Sequence, residues 1–138
     1  MPYITKQFKF CAAHKYWNDD WNHDKNSEVF GDDIKVHGHN YVLDVTITGP
    51  VNQASGFIYD IQKIKKIVKK KVISLLDHSQ IQSDIEWFKD KQPSTENLVL
   101  FIWDQIVSEI ESPAKLYKIK LRETPTIFTE YFGPENSN

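Results

Sequence analysis

Two histidines one residue apart, in Val36-His37-Gly38-His39-Asn40-Tyr41, are the strongest chemical signal in the chain. They open a run of β-branched and aromatic residues, Val42 to Thr48, closed by Gly49-Pro50, which predicts a strand. Residues two apart on a strand share a face, so His37 and His39 project side by side. Paired imidazoles suit a divalent transition metal, zinc most commonly. Gly38 leaves the opposite face bare, open to another strand or a ligand. Taken alone, such a pair reads equally as two hydrogen-bonded surface histidines, so a metal site needs a third donor. His14 and His23 precede the pair and His78 comes after it. His14 ends the predicted strand Phe8-Lys9-Phe10-Cys11-Ala12-Ala13-His14, where alternation sets it with Phe8, Phe10 and Ala12 unless an Ala-Ala bulge re-aims it. His23 sits among polar residues and reads as solvent-exposed, a reserve ligand.

Carboxylates supply the second signal. Asp77-His78 sets an acid beside an imidazole, a pairing that can orient and tune a proton-transfer group. Adjacent side chains need not meet, so the pair alone does not establish catalysis. Glu123 falls where a predicted strand meets its turn. The bland reading is a surface glutamate, the sharper one a carboxylate gripping an amidine-like ligand edge through two parallel hydrogen bonds. Glu96, in the first turn of a helix, complements the helix dipole.

The elements that must position these groups are set by periodicity. Asp60 caps a helix whose apolar face is Ile61, Ile64, Ile67/Val68, Val72 and Leu75; its lysines, Lys63 to Lys71, read as a solvated face because no aromatic stacking residues interleave them. Ser94 caps a second helix with the stripe Leu98, Phe101, Ile102, Ile106 and Ile110, ended by Ser112-Pro113. Leu116–Glu123 and Ile127–Phe132 are the last two strands, joined across Thr124-Pro125-Thr126. Lys15 to Lys35 reads as a long polar loop, of the length that is often functional, and its tryptophans argue against disorder. Residues 133–138 read as a polar tail.

At 138 residues, with 40% hydrophobic and 26% charged content, the chain has the make-up of one soluble globular domain spanning residues 1–138. A net charge of −2 gives no electrostatic case for nucleic acid or an anionic membrane. Arg122 is the sole arginine, so bidentate clamps on phosphate are scarce. A single cysteine, Cys11, excludes an intrachain disulfide and a thiolate zinc cluster, and reads as a packed small residue. The opening residues show no apolar signal region and no run reaches transmembrane length, so a cytoplasmic protein is expected.

The order is two strands, two helices, two strands. With Phe10-Cys11-Ala12-Ala13-His14-Lys15-Tyr16-Trp17, Val29-Phe30-Gly31, His37-Gly38-His39-Asn40-Tyr41, Leu76-Asp77-His78, Ser94-Thr95-Glu96-Asn97-Leu98 and Arg122-Glu123-Thr124, the chain resembles the 6-pyruvoyl-tetrahydropterin synthase family, which includes the 6-carboxytetrahydropterin synthases of queuosine biosynthesis. The resemblance covers nearly the whole chain in order. It implies an α+β tunnelling fold (ββααββ): a four-stranded antiparallel sheet with two helices on one face, trimers closing into a barrel and two trimers stacking into a homohexamer. It also implies Zn2+ on His14, His37 and His39, the substrate 7,8-dihydroneopterin triphosphate, a pterin anchor at Glu123, pocket residues Thr95 and Glu96, and catalytic Asp77 and His78.

The family's third catalytic residue, a cysteine shortly before His-x-His, is missing. Counting from the family pattern lands on Asp33, in Gly31-Asp32-Asp33-Ile34-Lys35-Val36-His37. Branches of the family that use glutamate carry it three residues before the first histidine, where this chain has Ile34. Three readings compete: a zinc-dependent pterin synthase with Asp33, or Asp32, as its base; a pterin-binding paralogue that keeps the metal but not the reaction; and an unrelated metal hydrolase on the same fold. The intact Asp77-His78 and Glu123 favour the first over the third.

Overall fold

The computed structural model describes residues 1–135; the last three residues of the predicted tail lie outside the described residues. Strand β1 (Tyr3–His14) and strand β2 (His37–Thr48) form the backbone of the sheet as a long antiparallel pair. Between them the chain departs from the expected loop. The Lys15–Lys35 excursion contains helix α1 (His23–Phe30) and a 3-10 turn, Gly31–Ile34. The helix is polar, so no apolar period announces it. It is held by Asn26, which is fully buried: its amide donates to the carbonyls of Asn18, Trp21 and Asn22, and its Oδ1 accepts from the Asn18 N–H. Asn22 caps the N-terminus by accepting from Lys25 N–H.

After β2 the chain enters helix α2 (Ile61–Val68), capped by Asp60 as expected, continues through a π-helical turn (Lys69–Ile73) and ends in the short α3 (Ser74–Leu76). The π turn moves the apolar stripe. Each step of four residues drifts about 40° around an α-helix, and one wider turn absorbs that drift. Ile64, Val68, Val72 and Leu76 therefore all enter the core, whereas Leu75, expected there, is 44% exposed. Leu76→Ala is expected to cost about 2–5 kcal/mol of stability and Leu75→Ala under about 0.5, measured by urea unfolding. Equal effects would contradict this register.

Strand β3 (Ser79–Gln80) then bridges back to β1, succeeded by α4 (Ile81–Asp84), the 3-10 turn Glu86–Phe88, and α5 (Thr95–Ile106), which Ser94 caps. Ile110 lies beyond this helix, after a further 3-10 turn, yet still packs on the core. Strands β4 (Lys115–Thr124) and β5 (Ile127–Tyr131) complete the sheet in the order β3-β1-β2-β4-β5. The sheet is thus five-stranded and mixed rather than four-stranded and antiparallel, because β3 runs parallel to β1. A two-residue strand carries too short a pattern to be read. It is set by His78, whose φ of 64° turns the chain and whose N–H donates to the Cys11 carbonyl.

One face of the sheet is covered. Phe8, Phe10, Tyr41, Leu43, Val45, Ile47, Ile119 and Leu121 form a single core with Ile64, Val68, Val72 and Leu76 and with Leu98, Phe101, Ile102 and Ile106. The other face is open, and Cys11 lies on it: exposed, its Sγ donating to Asn40 Oδ1 at 2.9 Å, not packed inside as expected. Its neighbours Phe10 and Ala12 take the core positions, and alternation leaves it outside. Among the described residues no helix is long and apolar enough to cross a membrane.

Candidate metal centre

Register brings the histidines together. His14 ends β1 directly opposite His37, and Ala12 faces His39, so three imidazoles converge where β1 ends and β2 begins, on the helix-covered face. No bulge intervenes, and His14 keeps the parity of Phe8, Phe10 and Ala12. Ring centroids are 4.5 Å apart for His14–His37 and 5.1 Å for His14–His39 and His37–His39, and one nitrogen from each lies within 4.8 Å of the others.

Two backbone carbonyls fix which nitrogen faces inward. His14 Nδ1 donates to the Pro93 carbonyl and His37 Nδ1 to the Lys35 carbonyl, each at 2.8 Å. That leaves both Nε2 atoms with a free lone pair. His14 is completely buried and its Nε2 has no hydrogen-bond partner. An orphaned lone pair there is costly unless something accepts it, and a cation does. Burial pushes the His14 pKa down to about 4; the Pro93 carbonyl opposes this, His37 and His39 reinforce it, and Asp33 acts against them. The ring is therefore neutral at pH 7, the form a metal requires. The residues present fit a divalent transition ion.

The depressed pKa has a stability consequence. An unfolded histidine titrates near 6.5, so between pH 6.5 and about 4 the unfolded chain binds the extra proton. Stability of the metal-free protein is full above pH 6.5 and is expected to fall below it. His14 contributes at most about 1.4 kcal/mol per pH unit. Glu123, whose pKa is raised, offsets part of this at the acidic end. Denaturant titrations from pH 7 to 4.5 on this chain and on His14→Gln measure the contribution; identical slopes in the two would exclude it.

Carboxylates flank the triad. Glu123 Oε1 lies 3.4 Å from His14 Nε2 and 3.5 Å from His39 Nε2. Partial burial raises the Glu123 pKa, His39 and His37 draw it down, and Asp33 and Glu96 push it up again. Asp33, on the 3-10 turn, has Oδ1 3.7 Å from His37 Nε2, and its backbone carbonyl accepts from Tyr16 N–H. Thr95 Oγ1 donates to Glu96 Oε1 at 3.1 Å and sits 2.9 Å from Thr129 Oγ1. Tyr16, which sequence reasoning passed over, packs its ring 5.1 Å from His14; burial, then Glu123, Asp33 and Glu96, raise its pKa. Its parity with His14 was the available signal.

Asp77 and His78 lie elsewhere. Asp77 Oδ1 accepts from the Cys11 N–H, the main reason its pKa is lowered, while Oδ2 lies 3.1 Å from His78 Nδ1. The pair borders a cavity of about 360 Å³ whose lining includes Cys11, Ala13, Gly38, Asn40 and Ser79. Among the described residues it makes no hydrogen bond or ion pair with Asp33 or the triad. His23, the reserve ligand, is exposed at the start of α1 and stands outside the cluster.

The sequence model for 6-pyruvoyl tetrahydropterin synthase matches residues 3–134. The chain belongs to that family. It is 33% identical to the Drosophila melanogaster 6-pyruvoyl tetrahydrobiopterin synthase over 97% of this chain and 81% of that protein. It is 31% identical to the 6-carboxy-5,6,7,8-tetrahydropterin synthase of Rickettsia bellii, over 91% of this chain and 96% of that one. The structure of Caenorhabditis elegans 6-pyruvoyl tetrahydropterin synthase superposes with a TM-score of 0.88 at 33% identity, covering 97% of this chain and 98% of the other. The α+β fold of this 6-pyruvoyl tetrahydropterin synthase relative and its candidate three-histidine metal centre thus stand together.

Proposed function

We propose that this chain, acting as one domain, is a zinc-dependent pterin synthase that eliminates triphosphate from 7,8-dihydroneopterin triphosphate to give a 6-pyruvoyl- or 6-carboxy-tetrahydropterin. The observation that carries the reading is the buried, partnerless Nε2 of His14 facing His37, His39 and the Glu123 carboxylate. His14, His37 and His39 hold the zinc through Nε2. Zinc held there supplies Lewis acidity to the hydroxyl oxygens of the pterin side chain.

The chain's own groups do the rest. Glu123 accepts two parallel hydrogen bonds from the pterin N–H and amino edge, which fixes the ring beside the triad; Thr95 and Glu96 line the same pocket. Asp33, beside His37, removes the proton from a side-chain carbon. His78, paired with Asp77, carries a proton at the same side chain, and the Cys11 N–H keeps Asp77 ionised so that it favours the imidazolium. Because Asp77 and His78 bond to Cys11 rather than to Asp33, a complete site needs the pair from a second copy, which supports a homohexamer of two barrel-forming trimers. In the same direction, β5 pairs only with β4, leaving an edge that a neighbouring sheet would satisfy. A cytoplasmic enzyme fits the absence of a membrane-crossing helix among the described residues.

Incubation of zinc-loaded protein with 7,8-dihydroneopterin triphosphate, with products identified by mass spectrometry, tests the proposal. A new pterin that disappears on chelation is expected, and its side-chain mass identifies the product. Substrate bound but unchanged would instead support the pterin-binding paralogue, the second reading that the aspartate at position 33 favours.

A further inference from the structure

His14 keeps its orientation only while the Pro93 carbonyl stays against its Nδ1, and Pro93 lies in a loop 79 residues away in sequence. Neither proline nor histidine anchors that loop. Gln92 does. Its side-chain Nε2 donates to the Trp17 carbonyl at 2.8 Å, and its Oε1 accepts from the Trp17 N–H at 3.2 Å. The amide thus pairs with both backbone groups of one residue, as a neighbouring strand would. Trp17 lies three residues after His14 and Gln92 immediately precedes Pro93, so the pairing and the His14–Pro93 bond close a small ring. The far side is tied as well: the Gln92 carbonyl accepts from Asn97 Nδ2 at 2.9 Å, in the first turn of α5.

We infer that Gln92 is a positioning residue for metal binding: its side-chain amide sets the Pro93 carbonyl that aims His14 Nε2 at the ion. The inference rests on the three-histidine metal reading. Its basis is rigidity, because a ligand held by a carbonyl is only as fixed as the loop that carries the carbonyl. A donor and an acceptor on one planar group, both engaged with Trp17, leave the loop little freedom to slide along β1. A purely structural role would lower stability without touching the metal, and the two are separable.

The test compares the unaltered protein with Gln92→Ala, Gln92→Glu and Gln105→Ala. Gln105 makes the same type of bond, from Nε2 to the Lys71 carbonyl at 2.9 Å, but toward the other end of α5. Zinc affinity is read by competition with a chromophoric chelator, and melting is monitored with and without zinc. Gln92→Ala is expected to bind zinc about 10–100-fold more weakly and to lose most of the zinc-induced rise in melting temperature. Gln92→Glu fills the same volume but sets a carboxylate oxygen against the Trp17 carbonyl, so it weakens zinc binding too without emptying space. Gln105→Ala lowers the metal-free melting temperature and leaves zinc affinity unchanged. If both Gln92 variants bind zinc like the unaltered protein, the inference is overturned while the metal reading stands. If the unaltered protein binds no zinc, both fall.

Discussion

His39→Ala is expected to lose zinc, falling from one ion per chain to a trace in elemental analysis after dialysis. Three nitrogens leave no redundancy. Zinc sites contribute about 10–16 kcal/mol, and removing one donor of three or four forfeits a quarter to a third of that. The expected fall in affinity is therefore about 10²–10⁴-fold. His39 suits the test better than His14. Its ring is partly exposed and its one ion-pair contact is Glu123, whereas His14 is buried and its removal would empty the core as well. The fold should survive, and the metal-free melting temperature checks this. Stoichiometric zinc in His39→Ala would sink the ligand assignment and return His23 to consideration.

The second large effect concerns Asp33. If its carboxylate is the base, Asp33→Asn should lower turnover on dihydroneopterin triphosphate by about 10²–10⁴-fold, the range of general-base contributions. Asp33→Cys should move the other way. A thiol ordinarily titrates near 8.5 and a carboxyl near 3.9, so the thiolate is intrinsically the stronger base for a carbon-bound proton. Both variants must keep their zinc and their oligomeric state, since Asp33 stands 3.7 Å from His37 Nε2. Turnover unmoved by either change, with metal intact, would remove Asp33 from the base position and leave Asp32 as the remaining carboxylate on that turn.

Periodicity made part of this architecture legible in the chain itself. His14 shares the parity of Phe8, Phe10 and Ala12, and His37 that of His39, so alternation alone placed all three on strand faces. Caps behaved the same way: Asp60 and Ser94 accept from the amides their positions predict. Strand pairing was not legible, because nothing in either strand states that His14 faces His37. Nor were the groups that act through the backbone. The Pro93 and Lys35 carbonyls carry no side-chain signature, yet they decide which histidine nitrogen is free. Helix α1 escaped because Asn26 holds it by hydrogen bonds rather than by an apolar stripe. Asp77 and His78 could be picked out as a pair, but only the fold shows that Cys11 is their partner in this chain.

The π-helical turn at Lys69–Ile73 makes chain length itself a constraint. Deleting one residue from Lys69-Lys70-Lys71 would leave composition and charge pattern nearly unaltered. It would, however, tighten the turn and rotate everything beyond it by about 100°. Leu76 would swing out of the core, and with it the Asp77–His78 turn and the β3 bridge to β1. Any one of these exposed lysines can be replaced at little cost, whereas their number cannot change. Over this segment, evolution is expected to tolerate substitutions freely and reject single-residue gaps.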